Sequence, residues 1–133
     1  MKYMLDTNIC IYLLNHVPEV LSKYDNKRNE GVVMSTITLA ELEYGLCKSS
    51  AYERNRKALL AFLAIVDVLP FDDSATIQYG KIRAGLERKG TLIGLMDMLI
   101  AAHAKSKGLV IVTNNVREFE RVEELKSHFP RHF

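Results

Sequence analysis

A parallel β-sheet covered by helices on both faces, an α/β/α architecture, is the fold class this sequence predicts, and three observations predict it. Short, continuously apolar runs alternate with stretches of helical periodicity along the chain. Those runs lack the in–out alternation of a half-exposed antiparallel strand, so the sheet they form is expected to be buried on both faces. The chain has 133 residues, 48% hydrophobic and 26% charged, which suits one globular domain with its own core and not a disordered or fibrous chain. A single domain over residues 1–133 is therefore expected.

Each element follows in order. Tyr3-Met4-Leu5-Asp6 is the first strand, and Asp6, Thr7 or Asn8 caps a helix running to Asn15. Pro18 suits the first turn of a short helix over Glu19 to Tyr24. Gly31 to Ser35 is the second strand, and Ser35 or Thr36 caps a helix over Thr38 to Lys48. Leu39, Leu42 and Leu46 form that helix's apolar stripe at i, i+3 and i+7. Arg54 to Ile65 is a helix with apolar residues on several sides (Leu59, Leu60, Phe62, Leu63, Ile65), more than one core contact needs, which points to a homodimer interface. Val66 to Leu69 is a strand stopped by Pro70. Asp73 or Ser74 starts a long helix to Lys89, closed by Gly90. Leu95 to Lys107 is another helix, closed by Gly108. Leu109 to Thr113 is the clearest buried strand, ended by Asn114-Asn115 and followed by a short helix over Arg117 to Arg121.

Several function classes drop out early. Eighteen basic against sixteen acidic residues give a formal charge of +2, so any nucleic-acid site must come from local placement and not bulk charge. The two cysteines, Cys10 and Cys47, form no CxxC and read as reduced thiols of a cytoplasmic protein. The longest apolar run, Ala58 to Val66, is too short to span a membrane, and the N-terminus carries no signal-peptide core. There is no GxGxxG, no GxxxxGK[ST], no HExxH, no paired Cys/His spacing and no GxSxG.

In parallel sheets, ligands bind beyond the carboxyl ends of the strands. Asp6 lies there, with Thr7 and Asn8 adding polar oxygens, although an Asp in this place also serves as a helix cap. Glu41 shares a helix face with Thr38 and Gly45, distinct from the leucine stripe, and Gly45 would admit a close backbone approach. Asp97 falls in the first turn of its helix, where a carboxylate also suits the helix dipole. Ala101 and Ala104 follow on its face and would leave room for water, a cation or a phosphate, while His103 points elsewhere and reads as packing or surface. Thr113 and Asn115 bring further oxygens to the same edge, and Glu118 or Glu120 adds a carboxylate. Three acids on three α/β units suit a hard divalent cation, which takes oxygen ligands, only one or two carboxylates in the case of Mg²⁺. Such a cation polarises phosphodiesters.

Four segments resemble a known family. Met4-Leu5-Asp6-Thr7-Asn8, Ser35 to Gly45 with Glu41 four residues before the glycine, Ile93 to Ala104 around Asp97, and Leu109 to Asn115 with Arg117-Glu118-Phe119 are similar, in order, to the four motifs of PIN-domain ribonucleases, especially VapC toxins of bacterial toxin–antitoxin pairs. Two departures stand out: Leu95-Met96 where many members carry proline, and Asn115 where the fourth motif often ends in aspartate. The resemblance implies a homodimer and a Mg²⁺-dependent (or Mn²⁺-dependent) endoribonuclease cleaving structured RNA. A tRNA anticodon stem-loop is the expected substrate, and initiator tRNA the preferred guess. It also implies a VapB-like antitoxin that blocks the acidic cleft with an extended segment. Asp6, Glu41 and Asp97 would be catalytic, with Asp6 and Asp97 on the metal and Thr7, Asn8, Thr113, Asn115, Glu118 and Glu120 in support. Local cations fit RNA, with Lys48, Arg54, Arg83 and Arg117 as contacts, although Arg83 also suits an i, i+4 pair with Glu87. Two rivals remain. A haloacid-dehalogenase-like phosphatase would want an aspartate where Asn8 stands, and a non-catalytic PIN-like binding module would tolerate Asn115.

Overall fold

The computed structural model describes residues 3–16 and 31–128. The expected helix over Glu19 to Tyr24 lies outside the described residues. The described chain runs β1 (Tyr3–Leu5), α1 (Thr7–Asn15), β2 (Val32–Ser35), α2 (Thr36–Lys48), α3 (Tyr52–Leu63), β3 (Asp67–Leu69), α4 (Asp73–Lys89), α5 (Leu95–Ser106), β4 (Val110–Val112), α6 (Val116–Phe119) and β5 (Ser127–His128). The strands form one sheet in the order β3-β2-β1-β4-β5, every neighbouring pair parallel. β1 is central, with Tyr3 in register with Val32 on one side and Val110 on the other.

Successive strand residues enter opposite cores. Tyr3, Leu5, Val32, Met34 and Val112 pack with Ile9, Leu42, Leu59 and Phe62 beneath α1, α2 and α3. Met4, Val33 and Ile111 pack with Ile82, Leu86, Met98 and Ile100 beneath α4 and α5. Both faces are apolar, so alternation of side-chain direction leaves no polar beat in the sequence.

Side-chain caps start three of the six described helices, α1, α2 and α4. Ser35 accepts the Ile37 N–H at 3.0 Å and starts α2, two residues earlier than expected. α4 starts at Asp73 as expected, and the Asp72 carboxylate accepts the Ala75 N–H and caps it. Gly90, at φ 67°, closes α4 in the left-handed conformation that a glycine adopts without strain. The β5 strand escaped the sequence pattern, because it is two residues long and joins the sheet through its backbone alone.

Two packing expectations need correction. On α3, Leu59 and Phe62 are fully enclosed, and Leu63 and Ile65 pack against the same core. Only Leu60 of the five apolar residues stays largely exposed, at 58%, so the apolar residues of α3 are mostly used inside the chain and do not by themselves mark an interface. On α5, Ala101 and Ala104 are wholly buried in the second core and leave no room for a ligand. His103 is buried as a packing residue; its Nδ1 lies 2.7 Å from the Ser35 hydroxyl and its ring meets Phe71 edge-on. Both cysteines are free, Cys10 in the core and Cys47 on the surface.

Candidate active site

Asp6 follows β1 directly and is both a helix cap and a site carboxylate. Its Oδ1 accepts the Thr7 N–H at 2.7 Å, which starts α1, and its Oδ2 accepts the Thr113 hydroxyl at 2.7 Å. Thr113 can reach it because β4 pairs with β1, and the Asp6 N–H donates to the Val112 carbonyl at 2.9 Å. Thr113 Oγ1 also accepts the Asn115 N–H at 2.9 Å, which ties the fourth segment to the same carboxylate. Burial pushes the Asp6 carboxyl up from its ordinary value; the Thr113 and Thr7 hydrogen bonds oppose this, and the charge of Glu118 adds to it.

Glu41 reaches the same edge from α2. The Thr7 hydroxyl donates to Glu41 Oε1 at 2.6 Å and lies 3.2 Å from the buried Thr38 hydroxyl. Thr38 and Glu41, one turn apart, thus lock α2 onto the start of α1. Asp97 comes from the first turn of α5, with its Oδ2 3.4 Å from where a Cβ of residue 94 would stand. Gly94 therefore leaves the carboxylate space that a larger residue would take. The Asp97 carboxyl is pushed up to about 7, first by burial, then by a hydrogen bond with Glu118 and by the charges of Asp6, Glu118 and Glu41. Four carboxyl groups from four segments thus act on one another at the carboxyl edge of the sheet.

A cleft of about 530 Å³ opens over them, lined by Asp6, Thr7, Asn8, Glu41, Gly45 and Asp97 together with Ile11, Ala40, Tyr44 and Met96. No backbone approaches Gly45, contrary to expectation: a Cβ there would meet nothing within 4 Å, so the glycine widens the cleft instead. Of the two glutamates left open by sequence, Glu118 acts on both Asp6 and Asp97, whereas Glu120 is exposed. Asn115 precedes α6 without a side-chain cap bond. Among the expected RNA contacts, Lys48 lies over the Tyr44 ring at 5.0 Å, Arg54 and Arg117 are exposed, and Arg83 is held on its own helix by Tyr79 and Glu87. Sequence reasoning missed Tyr44 and Met96, which are 65% and 45% exposed at the cleft wall. The available signals were Tyr44's spacing of three from Glu41 and Met96's place beside Asp97.

The donors facing the cleft are carboxylate, hydroxyl and amide oxygens, a hard set. Among the described residues no group of three or more His, Cys, Asp or Glu side chains is placed to hold a metal ion. The oxygen donors of the cleft suit a hard cation that takes one or two carboxylates and keeps its waters. A bound cation would offset the charges of Asp6, Glu118 and Glu41, which add to burial in raising the Asp97 carboxyl.

Comparison with known proteins agrees with this architecture. Residues 3–125 match the PIN domain family. The tRNA(fMet)-specific endonuclease VapC of Salmonella typhimurium is 47% identical over 126 residues, 95% of this chain and 96% of that protein. Ribonuclease VapC2 of Rickettsia felis is 43% identical over 129 residues, 94% and 95% of the two chains. Among solved structures, VapBC2 from Rickettsia felis bound to a DNA fragment from its promoter superposes with a TM-score of 0.90 at 39% identity, covering 97% of this chain and 98% of that one. DNA-bound VapBC from Salmonella typhimurium gives a TM-score of 0.90 at 46% identity over the same shares. These matches span nearly the whole chain and include the segments that carry Asp6, Glu41 and Asp97, and on them the chain belongs to the PIN domain family, within its VapC ribonuclease branch.

Proposed function

We propose that this chain is a single-domain toxin of a toxin–antitoxin pair, a Mg²⁺- or Mn²⁺-dependent endoribonuclease that cleaves structured RNA. A tRNA anticodon stem-loop is the proposed substrate, initiator tRNA first among them, by likeness to relatives named tRNA(fMet)-specific endonuclease. The observation that carries the reading is the convergence of Asp6, Glu41 and Asp97 on one cleft, with Glu118 acting on Asp6 and Asp97. Asp6 and Asp97 would hold the cation, with Asp6 aimed by Thr7 and Thr113. A divalent cation bound there supplies Lewis-acid polarisation of the scissile phosphate and stabilises charge on the departing oxygen. Glu41, fixed by the Thr7 hydroxyl, accepts a proton from the attacking water and orients it. Glu118 supplies the charge that the neutral Asn115 does not.

A VapB-like antitoxin is the proposed inhibitor, since the related structures are VapBC assemblies. Its basic residue would offset the same carboxylates that the cation does. A homodimer is proposed on family likeness alone. A cytoplasmic site of action is proposed by likeness to the toxin–antitoxin relatives; no helix among the described residues is long and apolar enough to cross a membrane. Family membership removes the phosphatase alternative; the non-catalytic module is tested directly. Purified chain incubated with total tRNA should cleave it with Mg²⁺ or Mn²⁺ and not with EDTA. Intact tRNA in every arm, from protein that melts cooperatively, would leave a binding module.

A further inference from the structure

Away from the acidic cleft, a groove of about 310 Å³ runs between α4, α5 and the segment after α6. Its walls carry Lys81, Arg88, Lys89, Lys105 and Arg121, opposed by Glu123 and Glu124. A chain of formal charge +2 has thus concentrated a local excess of positive charge in one place. Lys89 is paired with Glu123 at 2.5 Å, and Arg121 donates to the Leu92 carbonyl at 3.2 Å. Lys81, Arg88 and Lys105 form no ion pair among the described residues, although the charges of Lys105 and Arg88 act on Glu123.

Helix geometry explains the groove. Lys81, Gly85 and Lys89 stand at i, i+4 and i+8, so they share one face of α4, with Arg88 beside them. Gly85, in the middle, has no side chain to fill the floor; only Arg88 Nη2 comes near where its Cβ would be, at 3.8 Å. Along the chain, the groove's residues are near neighbours of the site already described. Arg121 lies three residues beyond Glu118 and is bonded to Leu92 in the turn before α5, whose first turn holds Asp97.

We propose that this groove is a track for the phosphate backbone of the RNA substrate, gripping a strand that continues from the cleft across α6. The inference rests on the ribonuclease reading above and names how that substrate is held. From Lys81 to Lys89 the helix rises about 12 Å at 1.5 Å per residue. That is the reach of three or four phosphates spaced at about 3.4 Å along a stacked strand. Lys81, Arg88 and Lys105, which form no ion pair among the described residues, suit a regular polyanion better than the sparser carboxylates of an acidic protein segment.

The test uses the full chain carrying Asp97→Asn, so that RNA stays intact, and measures binding of total tRNA as salt is raised. Adding Lys81→Ala, Arg88→Ala and Lys105→Ala together should weaken binding roughly tenfold at low salt and make the log–log salt slope shallower by about 2. Gly85→Glu, whose Cβ would meet only Arg88 Nη2 in an ordinary contact at 3.8 Å and which puts a carboxylate on the groove floor, should weaken binding independently. Lys81→Arg with Lys105→Arg should retain it. Melting curves confirm that each variant is folded. If the parent binds tRNA and both the triple variant and Gly85→Glu bind it with unchanged affinity and salt slope, the track is overturned; loss of polyglutamate binding alone would then assign the groove to an acidic protein. If the parent binds no tRNA, the ribonuclease reading falls, and the track with it.

Discussion

Glu41 and Glu43 stand two residues apart on α2 and meet opposite company. Glu43 faces Arg56, which donates to both of its oxygens at 2.7 and 2.8 Å, and the guanidinium holds its carboxyl below the usual range. Glu41 meets a hydroxyl, and its charge acts on Asp97. The contrast extends over the molecule. Asp72 is held low by Lys107 at 2.6 Å, Glu123 by Lys89, and Glu87 pairs with Arg83. Across the cleft, Asp6 and Asp97 are instead pushed up, by burial and by other acids. Acids that pair with bases serve the fold; acids gathered without one oppose it and await a cation.

The largest expected effect separates the two groups outright. Asp6→Ala and Asp97→Asn should each lower tRNA cleavage more than about 100-fold, beyond what losing an outer-shell partner costs a metal site. Asp97→Asn should melt no lower than the parent, because it removes repulsion. Asp6→Ala should melt somewhat lower, since it also deletes the α1 cap, worth about 1 kcal/mol. Cleavage rate beside melting temperature for each variant checks this. An Asp6→Ala protein that is folded and cleaves at the parent's rate would end the metal-site reading.

A smaller effect is expected one bond further out. Thr113→Val keeps the shape and deletes the hydroxyl that holds Asp6 Oδ2. Cleavage should fall about 10- to 100-fold, the usual loss when an outer-shell partner is removed. Raised Mn²⁺ should recover part of it, which a packing defect would not allow. The check is a metal titration of the cleavage rate.

This edge of the molecule was legible in part from sequence, and the parts differ for physical reasons. Asp6, Glu41 and Asp97 could be read because each sits at a fixed offset from a strand end or a helix start, where backbone geometry sets direction. Glu118 and Glu120 could not be separated, because α6 is four residues long and has no periodicity to phase them. Ala101 and Ala104 were assigned to the cleft on small size; burial on most sides of α5 put them in the core instead. The start of α3 at Tyr52 carries no side-chain cap, so nothing in the sequence marked it. Tyr44 was passed over because an exposed aromatic on a helix has no chemistry until its neighbour Glu41 is known to face a cleft.

Acidity distinguishes the two groups by sign. The Asp97 carboxyl sits at about 7 in the folded chain against an ordinary 3.8, so the folded state binds its proton more tightly. That contribution to stability is complete below 3.8 and lost as pH rises through about 7. Glu43 and Asp72, held low by their bases, contribute in the other direction, above their ordinary values, and lose it on acidification. Metal-free protein should therefore gain stability from Asp97 on moving from neutral to mildly acidic pH, and Asp97→Asn should remove that gain. Melting curves of parent and variant across this range measure it, and parallel pH profiles would show that Asp97 is not raised in the folded chain.

The smallest effect belongs to the paired glutamate. Glu43→Gln removes one charge of an ion pair whose two side chains are both partly exposed to solvent. Such pairs contribute little, because water screens the attraction and two long side chains lose freedom to make it. The amide oxygen of the substituted side chain can still accept from Arg56, and the Tyr52 hydroxyl, 2.8 Å from Arg56 Nη2, holds the guanidinium in place. Cleavage should match the parent's, and melting should differ only slightly, less still at raised salt. The matched change Glu41→Gln, two residues away on the same helix, should nearly abolish cleavage while leaving its Thr7 hydrogen bond possible. A single pair of rate measurements thus isolates charge from helix position. Equal losses in the two variants would place the defect in α2 itself and not in the carboxylate that faces the cleft.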